Sequence, residues 1–301
     1  MAFFDPAPKP KSLLGYHRVL APTAGIKCSP LCLGAMNFGT GWKEFMGECD
    51  KDTSFAVLDA FFDLGGNFVD TANAYQCEES EEWIGEWMEK KRNRDQMVTS
   101  VEEVMHGLNA LITAGKVLYL GVSDTPAWVV VKANDYARAH GCYDQGMALA
   151  PWGPLGQGKF KTKEARSKEH EGSARASQSS EHENAISDAL EKVAEKHKAT
   201  MHGVALAYVM HKTPNVFPII GQRKVEHLKA NVEALSITLT QEDLNEIESA
   251  APFDPGFPNT FIFADKFDVT NNTAADVKLT GLSARIDAPP KQKPVPARSE
   301  V

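Results

Sequence analysis

Gly65-Gly66-Asn67-Phe68-Val69-Asp70-Thr71-Ala72-Asn73-Ala74-Tyr75 is the stretch on which the reading of this chain turns. Two glycines stop a preceding helix, and Asn67 to Asp70 reads as a short apolar strand. An acid leaves the end of that strand, and a tyrosine follows five positions later in the loop. A carboxylate and a phenol delivered together where a buried strand ends form half of a proton-transfer site. An isolated Asp and Tyr at this spacing would be no more than a loop cap and a half-buried aromatic, so the surroundings decide.

Outward from that stretch, short apolar runs alternate with amphipathic ones from about Ser12 to Phe261. Strands are expected at Leu31–Met36, Asn67–Asp70, Asp95–Val98, Val117–Val122, Met147–Ala150 and Val216–Ile220. Between them the apolar spacing gives helices over Thr53–Leu64, Glu79–Lys91, Pro126–His140, Ala185–Lys198 and Gly203–Met210. Another helix carries Val225, Leu228, Val232 and Leu235, and Thr240 caps a last one through Ser249. Ser100 and Glu103 have the spacing of a capping box for a helix to about Thr113. Near-continuous apolar strands alternating with helices imply a parallel sheet covered by helices, either an open doubly wound sheet or a closed barrel.

The 301 residues are 43% hydrophobic and carry a formal net charge of −8, enough for a large core and without a basic face for nucleic acid or a membrane surface. No apolar run is long enough to span a bilayer, and Met1–Lys11, read as a flexible start, lacks the apolar stretch of a signal peptide. Cys28, Cys32, Cys49, Cys77 and Cys142 form neither a CxxC pair nor a zinc-ligand set. They read as reduced thiols of a cytoplasmic protein, and no metal is expected. Residues 12–264 are taken as one barrel-sized domain. Within it, 159–183 is polar and charged and reads as a mobile insertion, while the Pro-rich 265–301 reads as a largely disordered tail.

The Gly65–Tyr75 run, followed by Glu79-Ser80-Glu81 opening a helix, resembles the aldo-keto reductases. That resemblance implies an eight-stranded (β/α)8 TIM-type barrel binding NADPH, with Asp70 and Tyr75 belonging to a catalytic tetrad. Gly34-Ala35-Met36-Asn37-Phe38-Gly39 resembles the first strand and loop, so Met36 and Asn37 are expected beside the nicotinamide. Gly121-Val122-Ser123-Asp124 resembles the fifth strand, with Ser123 and Asp124 at the carboxamide; Asp124 replaces the usual Asn. Ala150-Pro151-Trp152-Gly153-Pro154-Leu155-Gly156-Gln157-Gly158 resembles the seventh loop. There Trp152 would stack on the nicotinamide, while Gly153, Leu155 and Gly158 follow the pyrophosphate. Gly221, Gln222, Arg223, His227 and Asn231 resemble the eighth loop, which grips the adenosine phosphate.

The physics of that last loop stands without the family: a helix opening after Gly221 offers free N–H groups to an anion, and Arg223 adds a cation. This favours NADP over NAD. The wording of Gly121–Val130 and of Phe253–Pro258 is similar to the fungal aryl-alcohol dehydrogenase and norsolorinic-acid-reductase-like group. The implied reaction is NADP-dependent reduction of an aromatic or secondary-metabolite aldehyde or ketone, or the reverse oxidation, with a small-molecule substrate; the sequence assigns no oligomeric state.

Two pieces of the family pattern are missing. The third and fourth strands should supply a lysine that lowers the tyrosine pKa and a histidine that orients the carbonyl. Here Met97-Val98 runs straight into Thr99-Ser100, where the helix after the fourth strand is expected to open. Gly141 runs into Cys142 where a sixth strand and helix should lie. His106, Lys116, Lys159, His211 and Lys224 offer no replacement, since each falls on a helix, on the wrong end of a strand or in a cofactor loop. Six recognisable strands cannot close with eight-strand geometry unless the sheet re-pairs. Either the barrel is remodelled or two internal segments are absent, and the clean junctions favour absence. The alternative to an active reductase is therefore a catalytically impaired NADP-binding relic.

Overall fold

The computed structural model describes residues 8–20, 26–93, 97–100, 148–167, 179–264, 273–278, 285–288, 290 and 293–298. The expected elements Val117–Val122 and Pro126–His140, with Ser123 and Asp124, lie outside the described residues, as do His106, Lys116 and the Gly141/Cys142 junction.

A short antiparallel hairpin pairs β1 (Arg18–Val19) with β2 (Lys27–Cys28). The main sheet is parallel and ordered β5–β4–β3–β6, with β3 at Cys32–Gly34, β4 at Phe68–Asp70, β5 at Val98–Ser100 and β6 at Ile219–Gly221. Leu149 extends it by bridging Val216 in parallel, and the Ile219 N–H donates to the Pro151 carbonyl at 2.9 Å. The run expected as strands one, two, three, seven and eight is thus laid side by side. The register puts Gly34, Asp70, Ser100 and Gly221 on one level, so the chain leaves all four main-sheet strands at the same end.

At the Val98/Thr99 junction the third strand runs two residues further than expected. Thr99 and Ser100 continue β5 beside Val69 and Asp70, and the helix expected from Ser100 to about Thr113 lies outside the described residues.

The helices follow the apolar spacing, and three of them start earlier than expected because polar caps define their beginnings. After a short α1 (Lys43–Met46), α2 spans Lys51–Asp63, and the Asp50 carboxylate accepts from the Thr53 N–H at 2.8 Å. Next, α3 spans Glu79–Lys91 and buries Trp83, Ile84 and Trp87. The buried Trp87 indole N–H donates to Asp59 at 2.7 Å, which joins α3 to α2 without stranding a polar atom. Within 159–183, α4 covers Lys163–Ser167. The helix expected from Ala185 begins at Glu181 as α5 (Glu181–His197), set by a Ser180/Glu183 capping box. It is followed by α6 (Met201–Lys212), α7 (Val225–Glu233), α8 (Gln241–Ala250) and α9 (Asn259–Phe263). Thr240 caps α8 as its sequence indicates.

Leu33, Val69 and Ile220 from the sheet meet Leu58, Phe61, Trp87, Leu206 and Leu228 from the helices in one buried cluster. A second cluster lies among α5, α6 and α8, around Leu190, Val193, Val204 and Ile247. Each of these large side chains adds roughly 1.5–3 kcal/mol by leaving water. The packed core holds the strand ends in place and leaves the loops beyond them to carry chemistry. Of the stretch expected as a tail, Arg298 lies 4.2 Å over the Tyr16 ring and donates its N–H to the Leu235 carbonyl.

Candidate active site

The level end of the sheet brings together Asp70, Tyr75, Met36, Asn37, Gly221 and Gln222. The Ala35 N–H donates to the Asp70 carbonyl at 2.9 Å, continuing the β3–β4 ladder into the loops. Burial, then the charge of nearby Asp70, pushes the Cys32 thiol well above its ordinary value, so that thiol stays neutral under the site. Asn37 is buried, and its side-chain amide donates to the Gln222 carbonyl at 2.7 Å. This bond ties the loop after β3 to the loop after β6.

Tyr75 is half-buried and meets the Trp42 ring edge-on, with centroids 6.2 Å apart. Directly after it, Gln76, Cys77 and Glu78 all lie in the left-handed region, at φ 54°, 59° and 77°. Such a conformation costs a non-glycine residue roughly 1–2 kcal/mol. Two side chains from this turn offset that strain. The Gln76 amide donates to the Met36 carbonyl at 2.9 Å and accepts from the Trp42 backbone N–H at 2.7 Å. The Glu79 carboxylate accepts from the Thr40 N–H at 2.6 Å and the Gly41 N–H at 3.1 Å, and these bonds hold it below the ordinary range. Gln76, Glu79 and Trp42 are site residues that the sequence reading passed over. Their one signal was a polar pair three residues apart, facing a Gly39-Thr40-Gly41 loop.

On the other side of the sheet end, Trp152 is 68% exposed just past the strand segment that pairs with β6. Gly153, Gly156 and Gly158 have φ of 69°, 69° and 85°, a run of left-handed turns. At Gly156 an added Cβ would also lie 2.7 Å from the Phe160 ring, so both conformation and space require glycine there. Leu155 packs partly buried on the main core and anchors the loop.

Following β6, Gly221, Arg223 and His227 are exposed, while Gln222 and Asn231 are buried. Arg223 donates to the Met46 carbonyl at 3.1 Å. No side chain caps the start of α7, so its first N–H groups point outward unsatisfied by a cap. The Asn231 side-chain amide nitrogen is buried with no hydrogen-bond partner. Two of the residues set aside as replacements are committed elsewhere: Lys159 pairs with Glu183 at 2.7 Å, and the His211 ring engages the Ala207 carbonyl and the Leu239 N–H. The cleft of about 520 Å³ lined by Phe160, Glu191, Lys198 and His202 belongs to the helical layer and includes none of the strand-end residues.

Comparison with known proteins agrees with this geometry. The sequence model of the aldo/keto reductase family matches residues 30–101 and 136–252. Norsolorinic acid reductase A of Aspergillus parasiticus is 41% identical over 372 aligned positions, covering 96% of this chain and 95% of that protein. The aryl-alcohol dehydrogenase [NADP(+)] of Phanerodontia chrysosporium is 41% identical over 362 positions, with 89% and 94% covered. A thermostable aldo-keto reductase of known structure, Tm1743, superposes with a TM-score of 0.57 at 19% identity, covering 78% of this chain and 99% of that one, which bears on the fold alone. The first alignment spans 372 positions against 301 residues here, so at least 71 positions of that relative face no residue in this chain. The chain belongs to the aldo-keto reductase family.

Proposed function

We propose that this chain is an NADP-dependent oxidoreductase that reduces an aromatic or secondary-metabolite aldehyde or ketone to the alcohol, or runs the reverse reaction, in the cytoplasm. The observation that carries the reading is the common level of Gly34, Asp70 and Gly221, which gathers the Tyr75 loop, the Met36–Asn37 loop and the Gly221–Arg223 loop at one end of a parallel sheet. The printed name of the Phanerodontia relative supports both the cofactor and the aryl substrate class.

The residues present fit the dinucleotide. The orphaned Asn231 amide is a buried donor aimed at a polar partner the protein does not supply. The uncapped start of α7 and Arg223 suit a phosphate. The left-handed glycines at 153, 156 and 158 keep backbone bare where a pyrophosphate would run. Exposed Trp152 offers a face to a nicotinamide ring.

When bound, NADPH supplies the hydride. Tyr75 gives the proton to the carbonyl oxygen, and Asp70 sets the electrostatics of the strand end. Trp42 and Trp152 exclude water from two sides. On this reading the chain also lacks two internal segments of the family barrel, which the positions missing from the alignment support.

Titration of NADPH fluorescence followed by NADPH oxidation with benzaldehyde tests the function. Binding with turnover is expected; tight binding without turnover would favour the impaired relic, and no binding would sink both. Sequencing the native transcript across Val98/Thr99 and Gly141/Cys142 tests the missing segments, with a Lys- and His-bearing insert expected.

A further inference from the structure

We infer that Gln76 is a positioning residue that holds Trp42 against Tyr75, making Trp42 the wall that receives the aryl group of the substrate. This rests on the proposed reductase reading and adds the residue that sets its preference for aromatic carbonyls.

Gln76 is fully buried and sits in a left-handed conformation at φ 54°, an unfavourable place for a long polar side chain. Its amide is nevertheless bonded at both ends, to the Met36 carbonyl and to the Trp42 backbone N–H. The opposing loop is shaped around it. A Cβ at Gly39 would lie 2.3 Å from the Gln76 Cβ, and one at Gly41 would lie 2.6 Å from the Gln76 carbonyl oxygen. Glu79 fixes the residue between those glycines by taking the Thr40 N–H and hydroxyl. This construction fixes the main chain at Trp42, from which the Trp42 ring stands edge-to-face on Tyr75 at 6.2 Å.

A carbonyl must come within hydrogen-bond reach of the Tyr75 hydroxyl to take its proton. A group attached to that carbonyl on the Trp42 side then meets the Trp42 ring, which lies 6.2 Å from the Tyr75 ring. A flat aryl group gains offset or edge contact with both rings, and a flexible alkyl chain gains only area. Trp42 is therefore the discriminating residue, and Gln76 acts through it.

The test is ligand-observed NMR titration of 2-naphthaldehyde and hexanal with NADPH present, alongside NADPH titration, for the parent chain, Trp42→Ala, Trp42→Phe and Gln76→Gly. Binding is read directly, so a slow chemical step does not mask the result. Trp42→Ala is expected to weaken 2-naphthaldehyde about tenfold and hexanal less than about twofold, with Trp42→Phe near the parent. Gln76→Gly, which relieves the backbone strain while removing the amide, is expected to reproduce the Trp42→Ala pattern. Equal loss for both aldehydes, or an unchanged aryl affinity in Trp42→Ala, overturns the wall. Trp42→Ala selectivity without the same effect in Gln76→Gly overturns the role of Gln76. If the parent fails to bind NADPH while the Trp42 effect persists, the reductase reading fails and the aryl wall stands.

Discussion

The Arg223 guanidinium donates to the Met46 carbonyl oxygen at 3.1 Å, so the loop after β6 is tied to the loop after β3 across the end of the sheet. The approach is close: a Cβ on Gly47, itself at φ 78°, would lie 2.3 Å from the same Nη1. Arg223 has further donors beyond that bond, and its planar fork can hold a carbonyl and a phosphate together.

Arg223→Ala is accordingly expected to weaken NADPH by tenfold or more while leaving NADH within about twofold, because only NADPH brings the extra phosphate. Fluorescence titration of both dinucleotides reads this. Equal weakening of both would mean that Arg223 serves only the Met46 tether, and unchanged NADPH affinity would remove it from the site.

The glycines of the Trp152 loop differ in what surrounds them. Gly156 and Gly158 share a positive φ, 69° and 85°, but only Gly156 faces an obstacle, the Phe160 ring. Gly158→Ala should cost roughly 1 kcal/mol of stability from conformation alone, and Gly156→Ala about 1–3 kcal/mol more from displacing the ring. Urea midpoints of the two variants check the order. A Gly158→Ala loss equal to or larger than that of Gly156→Ala would contradict the packing described.

Asp243 links α5 to α8 far from the strand ends. Burial alone would raise its pKa, but Lys196 at 2.6 Å, the Thr240 N–H at 2.9 Å and His197 at 2.9 Å together hold it well below the ordinary carboxylate range. A depressed folded-state pKa means the stabilisation is complete above the unfolded value near 3.9 and is lost as pH falls through the folded one. Asp243→Asn is expected to cost about 1–3 kcal/mol at pH 7, and the gap to the parent should narrow by about 1 kcal/mol at pH 3. Urea midpoints at the two pH values measure it. A gap that widens on acidification would reverse the sign.

Much of the fold was legible because burial repeats with the period of each element. Trp83, Ile84 and Trp87 mark the inner face of α3, and Thr240 marks the start of α8, with no need of tertiary information. Asp70 and Tyr75 were legible for a different reason: the acid ends a strand whose apolar run is too short to be anything else. Gln76 was not legible. Its role depends on Met36 and Trp42, 40 and 34 residues away, and on a left-handed backbone that no residue preference announces. Thr99 and Ser100 extend the third strand past Val98 because they pair with β4, a partner thirty residues distant that the local sequence does not record. Arg223 was read as a cation for phosphate, and its bond to Met46 depends on a contact 177 residues apart.

The end of β5 carries the last prediction. Ser100 sits level with Asp70 on the neighbouring parallel strand, at the end of the sheet where Tyr75 leaves its loop. The family pattern asks for a lysine from that side, to lower the phenol pKa so that proton transfer is matched to neutral pH. Ser100→Lys would place an ammonium at that level beside an acid able to hold it. Positioned acid–base help is worth about 10²–10⁴-fold when complete, and without the orienting histidine the gain in NADPH oxidation with benzaldehyde is expected to be at least about tenfold. The gain should vanish when Tyr75→Phe is added, because the lysine acts through the phenol. A Ser100→Lys protein that melts within a few degrees of the parent and shows no gain would place the tetrad's missing cation at some other level of the sheet. A gain that survives Tyr75→Phe would show that the added charge binds substrate instead of tuning the proton donor.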